Sequence, residues 1–150
     1  PIGPVPPQGD RIPIYAGAMG PKAIARAARW ADGIYAASMG GDREGHAAIF
    51  ATARQAWQDA GREGRPYLIG SFWYSLAPDA ASHLRSYVYE YMKYLGEDVG
   101  RGVAASMTRC TPAAVREAID NVRAAGADEL LVCPVTAHED EIERLASMLS

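Results

Sequence analysis

A parallel α/β fold is the class this sequence predicts, and three observations carry it. Short apolar or aromatic segments alternate with segments whose apolar residues recur at helical spacing, about one strand–helix unit per 30–40 residues. Helix start and stop chemistry separates them: Pro21 and Pro112 stand at first-turn positions, and Gly61 and Gly126 at stops. The last strand segment, DELLVCPV at 128–135, is almost continuously apolar, as in a strand covered on both faces. Strands separated by helices pair in parallel through right-handed crossovers. Four such strands form a small open sheet or half of a (β/α)8 TIM-type barrel, whose complete ring takes roughly 250 residues. Periodicity alone does not choose between the two.

Each element has a local reason. The first eleven residues, PIGPVPPQGDR, carry four prolines and read as a linker or approach loop, with one folded unit over 12–150. Ile12, Ile14 and Tyr15 form a short strand ending at Gly17-Ala18-Met19-Gly20. Pro21 opens a helix with an apolar face of Ile24, Ala27, Ala28 and Ala31, and Asp32-Gly33 breaks it before a strand over 34–38. Asp42 is an N-cap for a helix carrying Ile49, Phe50, Ala53 and Trp57. Residues 67–76, YLIGSFWYSL, are the longest strand signal. Pro78-Asp79 starts a helix whose expected core stripe is Leu84, Tyr87, Val88, Tyr91 and Leu95. The span 96–107, with three glycines and no clear period, is expected to be a loop acting as a lid or hinge. Thr111-Pro112 begins a helix over Val115, Ile119 and Val122. Thr136 and Glu139 form a capping box for a final helix over 142–149.

At 150 residues and 49% hydrophobic, the chain can bury a core of single-domain size. A formal charge of −3 gives no electrostatic case for nucleic acid or an anionic membrane. No apolar run nears the roughly 18–20 residues that span a bilayer, and no signal-peptide pattern stands at the start. Cys110 and Cys133 lack CxxC spacing and read as reduced thiols. A cytoplasmic protein is expected. His46, His83 and His138 have no carboxylate or cysteine at ligand spacing, so no metal site is expected. Phosphate-loop, GxGxxG and GxSxG patterns do not occur.

The strand–turn–helix over 12–38 is the best ligand candidate, because such a turn aims backbone amides and the positive end of a helix dipole at one spot. That spot suits a phosphate. Gly17 and Gly20 serve either phosphate approach or a tight turn, and binding is the favoured reading. Lys22 reads as a solvated surface residue. Trp73 and Tyr74 are adjacent on one strand, so one faces the sheet interior and the other the helices. Core packing is the default for the inward one, and a pocket lining the alternative. Tyr87, Tyr91 and Tyr94 are expected to form a buried stripe, with Tyr89 opposite as a possible subunit contact. Glu139, Asp140 and Glu141 suit the first turn of a helix.

The segment PIYAGAMGPKAIARAARWADGIY (13–35) resembles the fifth strand, fifth helix and sixth strand of the bacterial-luciferase-like monooxygenase superfamily. TPAAVREAIDNVRAAGADELLVCPVT (111–136) is similar to its seventh helix and eighth strand. The superfamily includes FMN-dependent monooxygenases and oxidoreductases using the deazaflavin coenzyme F420. The resemblance spans nearly all of 11–150 and implies the C-terminal half of a (β/α)8 barrel. It implies that the strands holding most catalytic side chains are absent, so no catalytic residue is assigned. It also implies a cofactor-phosphate site at the backbone of Gly17, Ala18, Met19 and Gly20, and of Ala37, Ser38 and Met39. F420-using members often carry Gly-Gly where Met19-Gly20 stands. The expected function is that part of a luciferase-like oxidoreductase which binds the phosphate end of F420 (alternatively FMN), for hydride transfer or monooxygenation of a small organic substrate. The alternative is a non-catalytic half-barrel assembly module. Four strands leave two sheet edges, so a homo-oligomer or pairing with an N-terminal half-barrel is expected.

Overall fold

The computed structural model describes residues 7, 9, 12–38 and 40–150. The expected linker over 1–11 therefore lies, apart from residues 7 and 9, outside the described residues. The elements in chain order are β1 (Tyr15–Gly17), α1 (Pro21–Ala27), β2 (Gly33–Ala37), α2 (Arg43–Asp59), β3 (Tyr67–Tyr74), α3 (Ala80–Met92), a 3-10 turn (Lys93–Leu95), α4 (Glu97–Ala105), α5 (Pro112–Ala124), β4 (Glu129–Pro134) and α6 (Glu139–Leu149). The four strands form one parallel sheet in the order β1-β2-β3-β4. Sequential parallel strands with a helix in each crossover are the arrangement of half a (β/α)8 barrel.

Alternation along the strands separates two faces. Ile34, Ala36 and Leu68 point at α1 and α2, closing a core with Ile24, Phe50 and Trp57. Phe72 and Tyr74 point at α5, against Val115, Ala118 and Val122. The other parity, Tyr35, Ala37, Ser71 and Trp73, faces the opposite side. Gly33 sits in register between Tyr15 and Tyr67, whose rings stack at 5.2 Å. A Cβ at Gly33 would stand 2.1 Å from the Tyr67 carbonyl oxygen, so this strand position takes glycine alone.

The two aspartates that open β2 and β4 repeat one device. Asp32 accepts from the Ile14 amide through Oδ2 at 2.9 Å and donates its own amide to the Ile14 carbonyl. Asp128 does the same to Leu68, again at 2.9 Å, and also takes a bidentate pair from Arg65 with both contacts at 2.6 Å. Each side chain ties the start of its strand to an earlier one.

Several expectations require correction. β1 begins at Tyr15, and Ile12 and Ile14 are exposed. The glycine-rich span 96–107 is not a loop but mostly helix α4, whose Glu97 and Asp98 suit the helix start and whose Arg101 pairs with Glu97 at 3.2 Å. Its glycine serves packing: a Cβ at Gly100 would lie 3.0 Å from Lys93 Cα. α3 buries Leu84, Val88 and Met92 against Ala104 and Met107, whereas Tyr87, Tyr91, Tyr94 and Leu95 are exposed. The expected buried tyrosine stripe is therefore a half-open one. Thr136 does not cap α6; His138 is the N-cap residue, and the Thr136 hydroxyl donates instead to Glu141.

Candidate functional site

The carboxyl ends of β1, β2 and β3 meet the α3 face at a cavity of about 510 Å³. Its floor is Tyr35, Ala37, Ser71 and Trp73, and its rim includes Met19, Ser38 and the α3 tyrosines. Parallel α/β sheets place ligands at this end of their strands. The Ser71 hydroxyl donates to the Tyr35 phenol oxygen at 2.8 Å. Trp73 meets Tyr87 and Tyr91 edge-on, with ring centroids at 5.6 and 5.0 Å. Trp73 is thus the inward aromatic of its pair and lines the cavity. Tyr74 is the outward one, fully buried with its hydroxyl donating to the Glu141 carbonyl.

The seven residues expected to hold a phosphate divide among several places. Met19, Ala37 and Ser38 line the cavity. Gly17 ends β1 and Gly20 follows Met19 in the chain; neither lines the cavity, and nothing lies within 4 Å of where a Cβ would stand on either. Ala18 turns its methyl into the core of β1, α1 and α2. Met39 lies outside the described residues. Gly20 is the N-cap of α1 with extended backbone, φ −90° and ψ 149°, and no side chain caps that helix. Among the described residues, Asp79 alone is a non-glycine with positive φ, so Met19 occupies its turn position without left-handed strain.

α2 begins differently. Asp42 caps it, accepting from the Gly45 amide at 2.6 Å and from the Ser38 hydroxyl. The Ser38 hydroxyl, helped by the Gly45 amide, holds the Asp42 carboxyl below its ordinary value near 3.8, outweighing partial burial. The positive end of α2 is thereby occupied by its own carboxylate, and the Ser38 proton is committed to it. Of the two helix starts near the cavity, α1 keeps its amides uncapped by any side chain.

Cys133, on the interior parity of β4, has its thiol pushed up by burial, the opposite of a reactive thiolate. His46 is buried, with Nδ1 at 2.9 Å from the Asp42 carbonyl, and does not line the cavity. Glu141, in the first turn of α6 as expected, is fully buried. It accepts from Ser75 Oγ at 2.7 Å, the Leu76 amide at 2.6 Å and Thr136 Oγ1 at 3.1 Å. It clasps the ends of β3 and β4 together on the side away from the cavity. No spacing in the sequence distinguishes it from Glu139 or Asp140.

Residues 2–146 match the family model described as luciferase-like monooxygenase. No curated protein matches the chain. Among solved structures, an F420-dependent secondary alcohol dehydrogenase in complex with an F420-acetone adduct is similar, at TM-score 0.67 and 15% identity, with 94% of this chain covering 50% of that one. The coenzyme F420 dependent tetrahydromethanopterin reductase from Methanopyrus kandleri superposes at TM-score 0.61 and 16% identity, covering 95% of this chain and 50% of its own. The monooxygenase RslO1 from Streptomyces bottropensis gives TM-score 0.52 and 20% identity, with 96% and 47% covered. The chain spans about half the length of the structures it matches.

Proposed function

This chain belongs to the luciferase-like monooxygenase family, and from that premise we propose that it is the part of an F420-dependent oxidoreductase that holds the cofactor's phosphate end, FMN being the alternative cofactor. The observation that carries the reading is the cavity itself, where the turn after β1 and the end of β2 meet at one opening. The fit to a phosphate is supported by Gly17 and Gly20, whose backbones stand beside open space that a side chain would fill. The α1 start adds amide donors and the positive end of a dipole. In this reading the backbone of Gly17, Met19 and Gly20 receives the phosphate, and Ala37 gives the neighbouring wall. Ser38 holds Asp42 in its capping position and orients the loop behind that wall. The bound cofactor supplies hydride transfer or, as a flavin, oxygen chemistry; the chain's own residues bind it, orient it and exclude water. The substrate is a small organic molecule.

The test is Gly20→Asp. The extended backbone at this N-cap accepts aspartate, a preferred capping residue, so the fold is retained or slightly stabilised. The new carboxylate repels a phosphate, and F420 affinity is expected to fall about tenfold or more. Fluorescence titration with F420, and separately with FMN, alongside a thermal melt, reads both effects. Unchanged cofactor affinity in a folded variant would falsify the phosphate site.

A second reading, a half-barrel that assembles with another copy or a separate N-terminal half, is favoured by one observation. Among the described residues, exposed apolar side chains stand beside or on the outer strands of the sheet: Ile12 and Ile14 precede β1, and Leu131 lies on β4.

A further inference from the structure

We propose that the aromatic wall of the cavity selects an uncharged, planar aromatic molecule as the substrate. Calling that molecule a substrate rests on the cofactor reading above; the recognition itself rests on side chains that reading does not use. Tyr87 and Tyr91 present nearly parallel rings, 18° apart in plane with centroids at 6.2 Å, and Trp73 stands edge-on to both. These rings are not needed to hold their helix. Leu84, Val88 and Met92 already anchor α3 to α4, while Tyr91 stays 54% exposed and Tyr94 75% exposed. A large aromatic surface held open at the mouth of a cavity is a stacking platform for a flat ligand. The volume of about 510 Å³ suits a molecule of a few fused rings.

Charge narrows the class. Among the described residues lining the cavity none is acidic or basic. The Ser71 hydroxyl proton is taken by the Tyr35 oxygen, so the phenol of Tyr35 is left to donate to an oxygen on the ligand. A carboxylate stacked against Trp73, Tyr87 and Tyr91, away from the backbone amides of the turn after β1, would lose its hydration with no cation to replace it.

Calorimetric titration of the full chain with naphthol and with the corresponding naphthoate, each with and without F420, tests the proposal. Naphthol is expected to bind about tenfold or more tightly than naphthoate, and equally well whether or not F420 is present. Tyr91→Ala is expected to weaken naphthol by roughly three- to tenfold, and Tyr91→Phe to keep the affinity. Equal affinity for the two probes, or indifference to Tyr91→Ala, overturns the ligand class. Mutual displacement of naphthol and F420 overturns it as well, because the wall then holds the cofactor's ring. Selective naphthol binding with no F420 binding in any arm overturns the substrate role and, separately, the cofactor reading.

Discussion

Ser38 and Asp42 illustrate how one contact reassigns a residue. A serine ending a strand serves either as a hydroxyl donor to a ligand or as a turn former, and here its hydroxyl proton goes to the carboxylate that caps α2. Its neighbour across the site, Met19, keeps an ordinary backbone and turns its side chain to the cavity rim. Tyr74 and Trp73, adjacent in sequence, part company because the strand alternates. Burial and the nearby Glu141 carboxylate push the Tyr74 phenol from 10.0 up to about 12. A raised pKa means that the folded state favours the neutral phenol. Its contribution is fully present below pH 10 and is lost as pH rises from there towards about 12. Tyr74→Phe is expected to cost about 1 kcal/mol at neutral pH for the lost hydrogen bond, and to flatten the alkaline fall. Urea unfolding at neutral pH and above pH 10 checks both; an alkaline slope unchanged in the variant would refute the assignment. The alternation of Trp73 and Tyr74 was legible in the sequence. The Ser38–Asp42 contact was not, since it needs the loop between β2 and α2 to fold back.

Elements were legible where local chemistry is decisive. Asp42 and Thr111 cap α2 and α5 as their sequence positions require, accepting from Gly45 and Ala114. The glycine stops at Gly61 and Gly126 both take positive φ. The misreading of α4 has a physical cause: glycine lowers helix propensity, while its benefit lies in a tertiary contact that no local rule sees. At Gly100 that benefit is testable. Gly100→Val drives side-chain atoms into the Lys93 backbone, where a bare Cβ already lies 3.0 Å from Cα. A loss of about 1–3 kcal/mol is expected, with faster hydrogen exchange confined first to α3 and α4. Exchange that quickens equally throughout the chain would contradict this picture of a separately seated pair. The same pair carries the aromatic wall, so the helix misread as a loop is also what fixes the tyrosines at the cavity.

For the whole molecule, the sheet order β1-β2-β3-β4 leaves β1 and β4 as outer strands among the described residues. Ile14 and Leu131, exposed beside or upon these strands, give the assembly reading its prediction. In sedimentation at micromolar concentration the chain is expected to associate, and the double variant Ile14→Lys with Leu131→Lys to shift towards single chains. Single chains for both proteins would count against assembly through these edges. The amino-acid sequence by itself determined the alternation of strands and helices apart from α4, the parallel class, the caps at Asp42 and Thr111, the stops at Gly61 and Gly126, and the likeness to the luciferase-like family. Those properties reside in short windows, where backbone preference and apolar period act over a few residues. Tertiary structure decided that Met19, Ala37, Ser38 and Trp73, spread over 55 residues of chain, share one opening. It decided also that Glu141 is buried while Glu139 is exposed, and that the tyrosines face a cavity instead of a core. Such outcomes depend on which faces meet across parallel strands, and helical or strand period records that a face exists without recording what it meets.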